Sequence, residues 1–361
     1  MVVTGSVTTL SGKWANRIES VGNGGENKRF THPFFQTCCL FFGELCCLFT
    51  FKLLYRFYNY KSKGSEDVRE LTRGNRNFNP LYLLVPALCD IMGSSLMYIG
   101  LNITYATIVP RLRAAVIIFV CLFSICFLKT FPNSRELCGI LLIASGLTLG
   151  GLPDFLSRET SRDGQSRNII TGYVLVLGAQ IMTSIHMVYE EKFVTRQDLP
   201  SLQAVGWEGL FGFSSMVLLL LPFYFIRAGP PVTQRPGDRL EDTIEALKQI
   251  GNSWKLMLTI FGSTVAVAFF NFAGISLTKE LSATARMVVD SMRSIIVWIG
   301  SVVFFEQKFH WLQPVAFVLI IVGMCLYNGI ATALVRKRLG CGGASEEILE
   351  VRRRSGSLHQ T

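Results

Sequence analysis

The sequence predicts an all-α membrane protein that crosses the bilayer many times, and three observations support that prediction. Half of its 361 residues are apolar or aromatic and only 17% are charged, which is well below the share in soluble domains. The mean hydropathy is +0.39. The apolar residues are concentrated in long stretches that carry almost no charge, such as residues 315–326. The formal net charge of +10 arises from cations between these stretches, so we assign them to membrane topology and predict no nucleic-acid partner.

Ten helices are predicted from the lengths of these stretches. A helix needs about 20 apolar residues to cross a hydrocarbon core of about 30 Å. Nine stretches meet that length: residues 33–57, 80–101, 107–128, 136–155, 169–189, 202–226, 254–278, 284–305 and 311–334. Residues 1–12 form a tenth, but they would rise only about 18 Å as a helix. We therefore expect the chain to begin within a longer first helix, which makes helix 1 look truncated.

The predicted helices fall into two groups of five. Polar residues 157–168 separate residues 1–156 from residues 169–334, and residues 335–361 form a polar tail that we expect to be disordered. Because five is an odd number, a duplicated second half would cross the membrane in the opposite direction. That is the inverted-repeat plan of many transporters, with the substrate site near the midplane between the halves. A weak internal match supports it, since Arg113 and Arg293 each precede an apolar string and lie 180 residues apart.

The distribution of Lys and Arg predicts that both termini face the cytosol. The loops after even-numbered helices, together with the tail, hold more Lys and Arg than the loops after odd-numbered helices. On the opposite side, residues 237–251 place apolar side chains on one helical face, and Asp238 with Glu241 matches a capping box. We predict that this segment forms a short amphipathic helix at the membrane surface.

Charged side chains inside the apolar stretches are candidate functional residues, because each costs about 2.5–3.5 kcal/mol at mid-membrane on insertion scales. Glu44 and Glu208 are candidates for proton coupling. Asp90 and Arg113 are candidates for substrate binding. Each of the latter has an alternative interpretation, because close packing beside small residues could satisfy Asp90 and snorkelling to the interface could satisfy Arg113.

A second group of charges lies in the stretch 284–305. Arg286, Asp290 and Arg293 are spaced by four and three residues, which places them on one helical face. We predict that this face lines a cavity in which Asp290 and Arg293 bind substrate. The alternative is an ion pair of Asp290 with Arg286 or Arg293 that makes insertion tolerable. His186 and Glu190, one turn apart, form either a proton relay or the interfacial end of a helix.

No motif of an enzyme, a metal site or a cofactor site is found in the sequence. It contains no His-Glu-x-x-His, no Gly-x-Ser-x-Gly and no phosphate-binding Gly-Lys-Ser/Thr string. Its four His lack metal-ligand spacing, and nine of its ten Cys lie inside the apolar stretches without a Cys-x-x-Cys pair. We therefore predict that the protein is not an enzyme and that it holds no metal and no cofactor.

Several strings resemble the F subfamily of solute carrier family 35, in the drug/metabolite transporter superfamily. They are ALCDIMGSSLMY at 87–98, EEKFV at 190–194, EGLFGF at 208–213, FFNFAGIS at 269–276 and TKELSATARMVVDSMR at 278–293. The resemblance implies ten helices in two inverted five-helix repeats. Asn271, inside the fourth string, joins the candidates for substrate binding. The wider group that the chain resembles includes nucleotide-sugar antiporters.

These observations lead to one functional hypothesis and one alternative. We predict a secondary transporter of a small anionic metabolite, nucleotide-sugar-like or another organic anion, that works by alternating access. The alternative is a membrane adaptor that transports nothing and regulates a partner carrier protein. The resemblance implies an endomembrane organelle, with the lysosome ahead of the Golgi or the mitochondrion. The predicted partners are a small-molecule substrate and the lipid bilayer. The sequence leaves open whether the chain forms a homodimer.

Overall fold

The computed structural model describes residues 1–22, 27–61, 74–75, 78–103, 109–150, 166–227, 239–305 and 312–327, and in these ranges the fold is almost entirely helical. The helices are α1 (Val2–Ala15), α2 (Pro33–Lys61), α3 (Leu84–Ile103), α4 (Val109–Phe123), α5 (Ser134–Gly150), α6 (Ser166–Gln197), α7 (Ser201–Phe225), α8 (Thr243–Asn252), α9 (Trp254–Glu280), α10 (Ala283–Ser291), α11 (Arg293–Phe305) and α12 (Leu312–Tyr327). A short antiparallel hairpin, β1 (Glu19–Val21) and β2 (Asn27–Arg29), lies between α1 and α2.

Five helical segments in the described ranges are long and apolar enough to cross a membrane. They are Pro33–Phe57, Pro80–Gly100, Thr171–Gln197, Ser201–Phe225 and Trp254–Glu280. Helices α4 and α12 are apolar but shorter. The helical fold class is therefore confirmed, whereas the ten-helix inverted repeat stays a prediction. Most of the predicted linker and the whole of the predicted disordered tail lie outside the described residues.

Two helix boundaries differ from the prediction in ways that affect the site. Helix α6 continues to Gln197, eight residues beyond the predicted end at residue 189. The stretch 284–305 is broken at Met292, so that Asp290 belongs to α10 and Arg293 opens α11. The prediction of one continuous helix is therefore wrong for this stretch, although Asp290 and Arg293 still share a face, because their side chains form an ion pair across the junction.

The two parts of the chain on either side of residues 157–168 interlock. The most extensive contacts among the described helices join α5 with α12, α3 with α6, α2 with α7 and α1 with α9. Helix α4 also packs against α6. One buried apolar cluster combines Val120 of α4 and Ile143 of α5 with Val288 of α10. Each of these pairs joins a helix from before the linker to one after it, so any site between them is built by both.

Glycines allow α2 and α7 to approach each other closely. A Cβ atom on Gly209 would lie 2.4 Å from the backbone nitrogen of Leu45, a separation that real Cβ atoms do not reach. The same holds one turn to either side, where Gly206 meets Leu48 and Gly212 meets Phe41. Because the backbones touch here, side chains that flank the glycines on α7 and their contacts on α2 come together near the middle of both helices.

The hairpin and α8 cover one end of the helices. Lys28 of β2 forms an ion pair with Glu245 of α8 at 3.1 Å. Glu241, just before α8, lies 2.8 Å from Nδ1 of His32 and is buried. These contacts fix α8 against the start of α2.

Helix α8 forms within the predicted amphipathic segment, but it begins later than expected. Its N-cap is Asp242, whose side chain accepts a hydrogen bond from the backbone N–H of Glu245 at 3.0 Å. The predicted cap residue, Asp238, lies outside the described residues. Ile244 and Leu247 are exposed on one face of α8, as the amphipathic pattern predicted.

Candidate functional site

A connected set of charged side chains lies between α6, α7 and α10. His186 of α6 lies 2.5 Å from Oε1 of Glu208 on α7 and 3.5 Å from Oε2 of Glu190, one turn further along α6. Nη1 of Arg286 on α10 donates to both carboxylate oxygens of Glu190, at 3.0 Å each. Only 1% of Glu190 and 2% of Arg286 is exposed. Four ionisable groups from three helices therefore form one buried chain of contacts.

Two more carboxylates, on α2 and α3, interact electrostatically with this chain of contacts. Glu44 of α2 is buried and accepts a hydrogen bond from Nδ2 of Asn271 on α9, at 2.5 Å. Asp90 of α3 has His186 and Glu208 among its electrostatic neighbours. Glu208 and Asp90 also interact electrostatically with Glu44. We call the following six side chains the charged cluster: Glu44, Asp90, His186, Glu190, Glu208 and Arg286.

Helix α9 holds two members of the charged cluster in place. Asn271 anchors Glu44, and Gly274, three residues further along α9, makes room for the guanidinium of Arg286. A Cβ atom on Gly274 would lie 2.7 Å from Cζ of Arg286. The absence of a side chain at this position therefore lets Arg286 reach Glu190 across the face of α9.

Asp290 and Arg293 form a second ion pair at the junction of α10 and α11. Nη2 of Arg293 lies 2.8 Å from Oδ2 of Asp290. The Arg293 guanidinium also lies over the ring of Phe270 on α9, with Cζ 5.1 Å from the ring centroid. The other oxygen of Asp290, Oδ1, is buried and accepts no hydrogen bond from the described residues. Asp290 therefore pairs with Arg293 and not with Arg286, which pairs with Glu190.

The charged cluster contains more carboxylates than cations. Its four carboxyl groups face one guanidinium and one imidazole, so the excess is three negative charges if His186 is neutral and two if it is protonated. An excess of buried charge is costly in the membrane interior. Among the side chains that the structure describes, protons or a cationic group of a ligand would have to balance this excess.

Three members of the charged cluster could also bind a divalent cation. The donor atoms of His186, Glu190 and Glu208 lie within 4.8 Å of one another, and imidazole with carboxylates is a common ligand set. Arg286 already binds both oxygens of Glu190, so a metal would compete with a charge-assisted hydrogen bond. Sequence spacing did not indicate this grouping, because Glu208 belongs to the next helix.

The structure brings several of the predicted site residues together. Glu44, Asp90 and Glu208 belong to the charged cluster, and Asn271 binds one of them. Asp290 and Arg293 form the separate pair described above. Arg113 lies near the start of α4, in a part of that helix whose side chains are outside the described set.

Sequence reasoning missed the partnership of Glu190 with Arg286. It offered two alternatives for Glu190, and the one that made it an interfacial helix end is wrong, because α6 continues past it and Glu190 is buried. Glu191 is buried as well, and its Oε2 accepts a hydrogen bond from the backbone N–H of Ala283 at 2.9 Å. The available signal was the apolar pair Phe193-Val194 after these acids, which indicates that the buried part of α6 continues.

The charged cluster lies among helices that are long and apolar enough to cross a membrane, an arrangement that many membrane transporters share. The sequence matches the model of solute carrier family 35 over residues 18–222 and that of the EamA-like transporter family over residues 170–329. The chain is 44% identical to solute carrier family 35 member F6 of Homo sapiens, covering 93% of this chain and 88% of the relative. The chain therefore belongs to solute carrier family 35, as the sequence strings indicated.

Two further comparisons agree with this assignment. Solute carrier family 35 member F6 of Pongo abelii is 44% identical over 99% of this chain and 94% of the relative. A solved crystal structure that is 13% identical superposes with a TM-score of 0.61, covering 91% of this chain and 95% of that one. The second match supports the fold alone. At the level of the family, the chain is a multi-pass membrane transporter of small solutes and not an enzyme.

Proposed function

We propose that the chain is a secondary transporter that carries a small organic anion, of nucleotide-sugar or related type, together with protons by alternating access. The observation that carries the proton coupling is the excess of carboxylates in the charged cluster, and the guanidinium group of Arg293 supports the choice of an anion. Helices α2 and α3 supply two of its members, and α6, α7 and α10 supply the other four. A site built by both parts of the chain can open to either side when those parts rock against each other.

The pairing of helices supports an inverted repeat of residues 1–156 and 169–334. Suppose that α1 to α5 correspond in order to α6, α7, α9, the α10–α11 pair and α12. Exchanging the two repeats then turns the helix pair α1–α9 into the pair α6–α3. The same exchange leaves the pairs α2–α7 and α5–α12 unchanged. These four pairs are the ones with the most extensive contacts among the described helices. Two repeats related by a two-fold axis would produce this exchange.

Protons would prepare the charged cluster for an anion. Protonation of Glu44 and Glu208 would remove negative charges that repel an anionic solute, so the anion and the protons would be bound at the same time. Arg113 and Arg293 are the proposed anion-binding groups, with Asp90, Asn271 and Asp290 as further contacts. Loss of the protons on the other side of the membrane would restore the repulsion and expel the anion.

A second candidate function is the exchange of an organic cation for protons. The carboxylate excess favours it directly, because a positively charged solute could replace the protons beside Asp90 and Glu208. The two candidates use the same residues but move charge in opposite directions. The sign of a solute-driven pH change therefore distinguishes them.

Proton flux in vesicles tests the proposal. The purified chain would be reconstituted with a pH-sensitive dye inside, and nucleotides, nucleotide sugars, organic acids and organic amines would be added outside. Anion–proton cotransport acidifies the interior, whereas cation–proton exchange makes it alkaline. We expect acidification by at least one anion, and a loss of about tenfold or more in Glu208→Gln because proton transfer groups typically contribute at that scale or above.

Glu280→Gln is the matched control, because Glu280 is an exposed acid at the end of α9 and lies outside the charged cluster. It should leave the solute-driven pH change intact. An anion flux that is equal in wild type and Glu208→Gln, with no pH change in either, would contradict proton coupling. An alkaline response only to amines would replace the first candidate with the second.

Cellular placement is a further part of the proposal. We propose an endomembrane organelle, with the lysosome ahead of the Golgi or the mitochondrion, and both termini in the cytosol. The bias of Lys and Arg between loops supports the orientation. Neither a homodimer nor a role as an adaptor for a partner carrier gains support from the described contacts.

A further inference from the structure

A long apolar groove lies on α2, and no residue of the charged cluster lines it. It has a volume of about 1240 Å³ and is bounded by α2, α7 and α9, with α8 at one end. Its lining extends from Phe35 to Leu54 of α2, which is about 28 Å at the helical rise per residue. That length is close to the thickness of the hydrocarbon core. None of the described residues that line the groove is charged.

The groove opens towards the membrane. Phe225 of α7 and Phe261 of α9 line it and are 78% and 66% exposed. Both belong to segments that are long enough to span the bilayer, so these exposed rings face lipid. Ile244 and Leu247 of α8 also line the groove. The apolar face of this amphipathic helix therefore closes one end of the groove.

Two arginines lie beside each other at the α8 end. Arg227, just after α7, forms an antiparallel β-bridge with Arg239, which precedes α8. The Arg239 guanidinium lies over the ring of Tyr224, with Cζ 3.7 Å from the ring centroid, and Tyr224 lines the groove. Asp242 binds Nη1 of Arg239 at 3.0 Å. The backbone bridge therefore places two arginines side by side at the polar end of an apolar groove, and in the described part of the chain one of them is paired with a carboxylate.

We propose that this groove binds one anionic phospholipid of the surrounding bilayer. Its acyl chains lie against α2, α7 and α9, and its phosphate group binds between Arg227 and Arg239. The planar guanidinium groups suit a phosphate, because they can donate two parallel hydrogen bonds to its oxygens. Tyr224 lies where the apolar chains meet the headgroup, the position that Tyr favours at membrane interfaces. This site is separate from the charged cluster and does not depend on the proposed transport activity.

Lipid-dependent thermal stability and native mass spectrometry of the full chain test the site. The probes are phosphatidylglycerol and phosphatidylcholine with the same acyl chains, added to the delipidated protein in a neutral detergent. We expect phosphatidylglycerol to raise the melting temperature more and to remain bound as one molecule per chain. Arg227→Gln and Arg239→Gln should each weaken its binding about fivefold, as expected for one basic group near anionic lipid. Arg29→Gln, at an exposed arginine of the hairpin, should not change it.

A second pair of variants tests the apolar part. Val217→Trp fills the groove, whereas Leu218→Trp places the same side chain on the lipid-exposed surface outside it. We expect Val217→Trp to abolish the stabilisation by phosphatidylglycerol and Leu218→Trp to keep it. Equal stabilisation by both lipids would overturn the headgroup assignment. Equal stabilisation by glycerol phosphate, which has no acyl chain, would overturn the lipid assignment. A dimer that dissociates in Val217→Trp would show that a second copy of the chain fills the groove instead.

Discussion

Arg286 and Glu190 neutralise each other where little water can reach them. Removing one partner of such a pair leaves an unpaired buried charge, while removing both is often nearly neutral. We expect Arg286→Leu to lower the free energy of unfolding by about 3–5 kcal/mol. Arg286→Leu combined with Glu190→Leu should recover most of that loss. Denaturant unfolding in a mild detergent measures both, and a double variant that is less stable than the single one would contradict the pairing.

The pair Asp290–Arg293 distinguishes a structural role from a binding role. We expect Asp290→Ala with Arg293→Ala to fold, because both charges are removed together, but to lose flux of the anionic solute. Arg293→Lys should leave the stability of the protein unchanged and weaken the binding of the anion, because lysine retains the positive charge but not the planar guanidinium group. Solute-dependent melting temperature and flux are the measurements. A double variant that transports normally would remove Arg293 from the binding site.

For individual residues, the sequence identified charges but not their partners. Glu44, Asp90 and Glu208 stand out because each is a lone acid in an apolar stretch, and all three belong to the charged cluster. Spacing reports only contacts within one helix. It therefore could not show that Arg286 binds Glu190, which is 96 residues away on another helix.

The contact between α2 and α7 depends on the glycines of α7. Gly209→Leu would place a side chain where the backbone of α2 already lies, and would push Glu44 away from Glu208. We expect a loss of stability of about 1–3 kcal/mol or more from overpacking, together with loss of transport. Thermal unfolding and flux would be measured for each variant.

Gly262→Leu is the control for this substitution, because nothing lies within 4 Å of a Cβ atom at Gly262 of α9. It should leave stability and transport close to those of the wild type. Similar losses in both variants would show that leucine at any helical glycine is harmful, and that the α2–α7 contact has no special role.

For the helices, the sequence predicted where they exist better than where they end. The apolar stretches correspond to α2, α3, α6, α7 and α9, because burial and membrane insertion both demand uninterrupted apolar residues. The end of α6 was placed too early, since a run of two acids and a lysine is typical of an interface. Here Arg286 and the backbone of Ala283 satisfy those acids, so the helix continues.

The orientation of the whole chain is tested by the sidedness of two segments. The distribution of Lys and Arg predicts that the C-terminus and α8 lie on opposite sides of the membrane. We expect a C-terminal tag to be protected from a probe in the lumen of intact organelles, and a tag inserted before α8 to be accessible to it. Both tags on the same side would contradict the predicted helix count.

Alternating access requires that the charged cluster can be reached in turn from both sides of the membrane. Asn271→Cys tests it most directly, in a variant whose ten native cysteines are replaced and whose melting temperature is unchanged. A membrane-impermeant maleimide should modify this cysteine in right-side-out and in inside-out vesicles. Leu218→Cys, which faces lipid, should react in neither. Modification of Asn271→Cys from both sides is the result that alternating access requires, and modification from one side only, or from neither, would contradict it.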